Sequence, residues 1–506
     1  MCPICGVELS NLSPADRNAH VNGCLDTETS TLPPATVLVP STAPPPTQGS
    51  SGKSGWFTKS PGLKTNTPLD STPSSKPVSA FAKLMSTNAE AQAWASTAKE
   101  QAEQHGMRAS ERTCPFYKIL FNGPITVDAF RYGAVPGCKA YFLSHFHSDH
   151  YVGLTSKWDH GPIYCSPVTA NLVRLRLKVD PKWVHELPWE DWFDIPDAPG
   201  IRVNGIDANH CPGSMLFLFE KNSNGKKTTR VLHCGDFRAC PEHLTHPLLR
   251  PPNKIDTIYL DTTYLNPKYA FPSQSSVITA CGDLCTKLNS TSPSSLTNRP
   301  SKPRLLILVG TYSIGKERIC LGLAQSLNTL IYAPASKLPT LHALNLPSLT
   351  ALLTPDPALA QVHMIPLQQL DTPSLSEYLS RHPTFTHIVG FRPSGWSYKP
   401  PTSRAKEPRV EDVLWGREWR SRYSVEEMVP VKGATERARV YAVPYSEHSS
   451  FRELTMLMCG LEVGKVVPTV NVGSEKSRSA MRRWIEKWER QRGRKMFVVG
   501  EDGGVW

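Results

Sequence analysis

The sequence predicts an α/β protein with a sandwich-like β layer crossed by helices, a second unit of parallel strands, and a small cysteine–histidine unit in front. Three observations predict it. From Arg112 onward, short β-branched and aromatic runs alternate with Gly, Pro and Asn turns, and "ITVDAF", "AYFLS", "PIYCS", "MLFLFE", "RVLHCGD" and "TIYLD" read as strands of the layer. Further on, "RLLILVG" and "HIVGF" are continuous apolar runs of the kind found in buried parallel strands. In front of both, Cys2, Cys5, His20 and Cys24 stand within the first 27 residues.

Between the front unit and the sandwich, Thr29 to about Ser79 is dominated by Pro, Ser, Thr and Gly. Such a segment cannot bury enough apolar surface to offset its chain entropy and is expected to be a disordered tether. Residues 79–105 are good helix formers without Pro or Gly. Phe81, Leu84, Met85 and Trp94 give them a broken apolar stripe, so a helix that docks on something is expected. Segments 286–303 and 398–409 read as surface loops. No internal repeat is present.

Composition narrows the function classes. The chain has 506 residues and a formal charge of +12. Residues 1–110 carry eight basic and eight acidic side chains, so the whole excess belongs to 111–506, with 48 basic against 36 acidic. A basic region of that kind points to a polyanionic partner, nucleic acid first. No apolar run of about 18 residues occurs, so no membrane span is expected. Nor does the N-terminal stretch show a basic region followed by an apolar core, so no secretory signal is expected. Thirteen cysteines, an odd number and mostly scattered, fit a reducing compartment.

The chemistry concentrates in "YFLSHFHSDHYVGL", where His145, His147, Asp149 and His150 follow an apolar run. In an extended chain 145, 147 and 149 point to one side, with His150 beginning a turn. That arrangement offers two imidazoles to one cation, and a carboxylate and an imidazole to a second. Zinc takes nitrogen and oxygen ligands at roughly 2.0–2.2 Å, so side chains this close in sequence can share a cluster. Further candidates end later strands: His210 in "DANHCPGSM", Asp236 in "LHCGDFR" and His448 in "VPYSEHSS".

HxHxDH, a lone His, a lone Asp and a distant His form the ligand order of the metallo-β-lactamase superfamily. The words "TVDAFRYG", "DANHCPGS", "HCGDFR", "LDTTY", "GTYSIGKE", "FRPSGW" and "PYSEHSS" closely resemble the β-CASP DNA-repair nucleases that act on interstrand cross-links. The resemblance covers about Arg112 to the C-terminus. It implies a metallo-β-lactamase αββα sandwich at 111–265 and 431–506, a β-CASP domain inserted at 266–430, and a 5′-to-3′ direction of digestion. By the same resemblance, His145, His147, His210 and Asp236 hold a first zinc ion, and Asp149, His150 and His448 a second, bridged by Asp236. Asp261 matches an acidic motif that orients the ligands. The position 22 residues after the late His is His in RNA-cleaving members and Val in DNA-cleaving ones, and here it is Val470. DNA is therefore the expected substrate, the nucleus the expected compartment, and a monomer the expected form, with one or two zinc ions in the site.

"GTYSIGKE" also matches a Walker A loop up to its last position, where the magnesium-holding Ser or Thr is replaced by Glu317. An ATPase is not expected. What survives is a Gly-containing loop entering a helix, with Thr311, Ser313, Gly315 and Lys316 as candidates to hold a DNA 5′-phosphate. Cys2, Cys5, His20 and Cys24 have the spacing of a four-ligand zinc site, closed by cysteine. The finger at 1–27 is similar to ubiquitin-binding CCHC fingers of repair proteins, although Asn22 stands where those fingers usually carry Asp. Ubiquitin is thus an expected partner, through a tether at 28–110. Two alternatives are an RNA-processing β-CASP nuclease, disfavoured by Val470, and a non-catalytic ubiquitin-binding scaffold, disfavoured by the complete ligand set.

Overall fold

The computed structural model describes residues 92–97, 99–100, 103–104, 107, 111–223, 226–290, 304–402, 404, 407–420 and 422–492. The expected finger at 1–27 and most of the expected tether lie outside them. Of the helix expected over 79–105, residues 92–97, 99–100 and 103 are helical. That helix docks: Trp94 is buried, stacked on Tyr117 at 5.3 Å and edge-on to Phe116 at 4.8 Å.

The first sheet runs β1 (Ile119–Leu120), β2 (Ile125–Val127), β3 (Ala140–Phe142), β4 (Ile163–Cys165) and β5 (Val184–Glu186) in spatial order. The second begins with β6 (Trp192–Asp194), β7 (Ile201–Asp207), β8 (Met215–Ser223), β9 (Lys226–His233) and β10 (Lys254–Leu260). The third holds β11 (Leu305–Thr311), β12 (Leu330–Tyr332), β13 (Leu353–Thr354), β14 (Ala360–Pro366), β15 (His387–Pro393) and β16 (Ala438–Val443), all parallel, in the order β13-β12-β14-β11-β15-β16. The chain then returns to the second sheet, where β17 (Glu462–Pro468) pairs parallel with β10.

Strand alternation explains why both faces of these sheets are buried. In β8, Met215, Phe217 and Phe219 join Ala140 and Phe142 of β3 in one core between the first two sheets, while Leu216 and Leu218 belong to a second core. The helices Phe451–Gly460 and Glu475–Gln491 cover that second core. Tyr141 and Leu143 turn to a third core on the outer side of the first sheet. The result is the αββα sandwich that the sequence predicts. Phe142 and Phe217 meet edge-to-face at 5.2 Å in its centre. Truncating such a phenylalanine to alanine costs about 3–5 kcal/mol. In β11 the same alternation sends Leu305, Ile307 and Val309 to one side and Leu306 and Leu308 to the other.

The expected boundaries shift in two places. β16 lies beyond the boundary expected at 430 yet pairs with β15 along its whole length, so the third sheet extends through Val443. The segment 286–303, read as a loop, begins inside the helix Gln274–Ser290. Its polar Thr286, Asn289 and Ser290 sit on the last turns of a helix whose hold comes from Val277, Cys281, Leu284 and Cys285 in the core.

Candidate metal centre

Loops from all three sheets converge on one place. After β3 the chain stays extended only to His147, and a helical turn, Ser148–Tyr151, follows with His147 at its N-cap. This differs from the extended run expected through Asp149: the turn itself presents Asp149 and His150. His210 follows β7, Asp236 follows β9, Asp261 follows β10 and His448 follows β16. Gly235, beside Asp236, has φ 55°, and a Cβ there would come within 2.6 Å of the Ser144 side chain. Only glycine lets the two loops approach so closely.

His145 Nε2 lies 2.9 Å from His147 Nδ1, and His210 Nε2 lies 3.1 Å from the same atom. Asp236 Oδ2 sits 3.8 Å from His145 Nε2 and 4.0 Å from His210 Nε2. On its other side Asp236 Oδ2 is 3.2 Å from His150 Nε2 and 4.0 Å from His448 Nε2, and Asp149 Oδ2 is 3.5 Å from His150 Nε2. Ligands at about 2.0–2.1 Å on a tetrahedral ion are separated by roughly 3.3 Å, so both clusters have the size of a metal site.

The outer ring nitrogens decide what these inner atoms can do. His145 Nδ1 donates to Ser144 Oγ at 2.9 Å, since that hydroxyl is itself given to Asp128 Oδ2 at 2.7 Å. His150 Nδ1 faces Asp128 Oδ2 at 2.7 Å and His448 Nδ1 faces Asp261 Oδ2 at 2.8 Å. His210 Nδ1 faces the Glu447 carbonyl at 2.8 Å, and His147 Nε2 the Ile314 carbonyl at 3.3 Å. Each histidine donates one N–H outward, so its other ring nitrogen faces inward around one carboxylate and offers a lone pair whenever it bears no second proton. Such lone pairs repel unless a proton or a metal ion lies between them. The donor set therefore fits a metal ion.

Charge points the same way. Burial, with neighbouring imidazoles adding to it, drives His145 and His210 well below the usual histidine range, so both are neutral and ready to ligate. Burial would lower His150 too, but Asp236, Asp149 and Asp128 outweigh it and hold that imidazole well above its ordinary value. Burial likewise opposes protonation of His448, yet Asp261 and Asp236 raise it to about 9. These carboxylates demand positive charge at their centre, which a proton on each of these two rings supplies and which a divalent ion would supply in its place.

Asp261 stands where the acidic motif was expected, oriented in turn by Thr263 N and Oγ1 at 2.9 and 2.6 Å. Val470 packs beside it, its backbone N–H and carbonyl both bonded to Thr262 Oγ1. The phosphate-loop expectation needs correction. The loop does enter a helix, Glu317–Leu327, but its donors are turned inward. Gly315 N donates to Glu317 Oε1 and Lys316 N to Glu447 Oε1, while Lys316 Nζ donates to Glu447 Oε2 at 2.9 Å. Thr311 Oγ1 accepts from Lys337 Nζ. Of those four residues, Ser313 is the exposed one.

Two contributors went unread in the sequence. Asp128 is buried, receives Ser144 N and Oγ, and aims His150; its signal is an Asp directly after the apolar start of the strand word "ITVDAF". Arg238 is buried as well, donating to Glu453 Oε1 and to the carbonyls of Ser446 and Pro272. It thereby ties the Asp236 loop to the His448 loop.

Residues 347–474 match the family described as DNA repair metallo-beta-lactamase. The chain is 39% identical over 493 residues to the DNA cross-link repair protein pso2/snm1 of Schizosaccharomyces pombe, covering 96% of this chain and 78% of that protein. It is 38% identical over 384 residues to the DNA cross-link repair 1A protein of Homo sapiens, covering 76% of this chain and 33% of that one. With the 5' exonuclease Apollo of Danio rerio it shares 32% identity over 357 residues, covering 70% and 52%.

Proposed function

The chain belongs to the DNA cross-link repair nucleases of the metallo-β-lactamase superfamily, and from that premise we propose that it is a zinc-dependent DNA 5′-to-3′ exonuclease of interstrand cross-link repair. The observation that carries the proposal is the set of five inward-facing imidazole nitrogens gathered on either side of Asp236, with Asp149 flanking one side. His145, His147, His210 and Asp236 would hold one ion, and Asp149, His150, His448 and Asp236 a second. When bound, the metal pair supplies a nucleophile at neutral pH and neutralises the charge that builds on phosphorus. The protein's own part is orientation. Asp128 and Asp261 fix two imidazoles, Ser144 a third, and the Glu447 and Ile314 carbonyls the other two.

Val470 and the basic balance of the chain support DNA as substrate, and the name of the zebrafish relative supports the 5′ direction. Of the loop after β11, Ser313 is the group assigned to a terminal phosphate. Lys316 is assigned to holding Glu447. The finger at Cys2, Cys5, His20 and Cys24 supports recruitment through ubiquitin, and the repair role supports a nuclear location.

The test uses metal-stripped protein reconstituted with zinc, manganese or magnesium, and DNA and RNA strands labelled at either end. Zinc-restored digestion of DNA from the 5′ end is expected, with Asp149→Ala at least about 100-fold slower, since the metal's share of the barrier is several kcal/mol. Digestion from the 3′ end, or preference for RNA, would overturn the substrate and direction. An Asp149→Ala protein near wild-type rate would overturn the site.

A further inference from the structure

In an open parallel sheet, ligands settle outside the carboxyl ends of the strands, where neighbouring strands send their connections in opposite directions. In the third sheet that point lies between β11 and β15. From β11 the chain crosses to β12 on one side, whereas from β15 it proceeds to β16 on the other. Tyr312 follows the end of β11 directly, and Trp396 stands three residues past the end of β15. Among the described residues, three aromatic side chains stand out as large exposed hydrophobics: Trp189, Tyr312 and Trp396, with the last two each 40% exposed. Two of the three therefore stand past the carboxyl ends of neighbouring strands, where the crevice of such a sheet opens.

Both stand next to the metal centre. Tyr264 links Trp396 to His448: its ring is 4.5 Å from Trp396 and 6.1 Å from the imidazole. Tyr269 meets the indole edge-on at 4.8 Å, and Lys268 Nζ lies 4.5 Å above Tyr269. On the other side, Tyr312 is two residues from Ile314, whose carbonyl faces His147. The Tyr312 carbonyl is held by Lys337 Nζ, and its ring lies 5.4 Å from Lys316 Nζ.

The indole is held in place from behind. A Cβ at Gly395 would come within 2.6 Å of the Tyr264 hydroxyl and 3.1 Å of the Ser446 side chain, so glycine is what lets the Trp396 turn lie against them. Exposing a supported indole beside a buried cluster forfeits the burial that its apolar surface would otherwise gain. Its geometry suits a flat, apolar ligand face. A strand entering this centre offers one at every nucleotide, and stacking on aromatic rings holds single strands without choosing among bases.

We propose that Trp396 and Tyr312 are nucleobase-stacking residues, receiving the bases on either side of the phosphate that reaches the metal centre. The proposal rests on the reading of that centre as a DNA-cleaving site. It gives the crevice a role that phosphate contacts cannot fill, since phosphates position a strand without gripping its bases.

The experiment compares a single strand with the same strand carrying abasic residues at its two 5′-terminal positions, in binding and in cleavage. Trp396→Ala should raise KM and weaken binding about 10- to 100-fold on the ordinary strand, and leave the abasic strand, already weak, nearly unchanged. Trp396→Phe should retain binding within about 3-fold, because a second ring can still stack. Tyr312→Ala should show the same selectivity, and Tyr312→Phe should behave as wild type. Equal losses on both strands, or a wild-type protein indifferent to the abasic change, would overturn the stacking role. A wild type that binds ordinary strands over abasic ones but cuts neither would leave stacking standing and remove the nuclease reading.

Discussion

His363 shows how far a single residue's setting can depart from its ordinary chemistry. It is fully buried on β14, with Nδ1 2.9 Å from the Tyr378 hydroxyl and Nε2 3.0 Å from the Pro357 carbonyl. Burial lowers its pKa to about 4, against an ordinary 6.5. The folded protein therefore refuses a proton that the unfolded chain accepts. Above pH 6.5 neither state is charged and the residue is neutral to stability. Between about 6.5 and 4 the unfolded state gains the proton alone, so stability falls as pH falls, by about 3 kcal/mol in all. Below about 4 its contribution levels off. Urea unfolding of wild type and His363→Gln across that window should differ in slope by up to about one proton; parallel slopes would show that His363 protonates in the folded state. Placement also decides the roles of the ring histidines, two of which Asp128 and Asp261 meet from outside. There the outward hydrogen bonds, rather than the histidines themselves, decide which nitrogens face the centre.

At the scale of elements, the loop between β11 and the helix Glu317–Leu327 carries the sharpest consequence. Its Lys316 has φ 72° and is buried against Glu447, the residue before His448. Burial works against the Glu447 carboxylate, but the Lys316 charge prevails and holds it down at about 2. The pair joins the third sheet's first loop to its last. Removing the ammonium leaves a buried carboxylate without its partner, and losses of about 3–5 kcal/mol are usual for that. Lys316→Ala should thus lower stability by about 3 kcal/mol and slow 5′-phosphorylated and 5′-hydroxyl strands by the same factor. The sequence pattern alone, a lysine at a helix entrance, implies a selective loss on the phosphorylated strand. End-labelled digestion beside thermal unfolding separates the two. The difference arises because Glu447 is 131 residues away in sequence, and no spacing announces that it fills the helix entrance.

At the scale of the whole molecule, the groups that face the metal centre among the described residues lie between Asp128 and His448. Cys5→Ala should therefore leave digestion of naked DNA unchanged while removing ubiquitin pull-down, because metal binding supplies most of such a finger's folding free energy. Loss of digestion in that variant would tie the finger to the centre. By itself the sequence determined the strand words and the His and Asp side chains that the structure gathers, and through its resemblance the αββα class and the family. These rest on local alternation and on side-chain types that few other chemistries require in that order. Tertiary structure alone decided the helical turn that presents Asp149, the pairing of β16 beyond residue 430, the capture of Lys316 by Glu447, and the placing of Tyr312 and Trp396 after neighbouring strands. Each depends on which distant segments a sheet brings side by side, and contacts of that range leave no period in the chain.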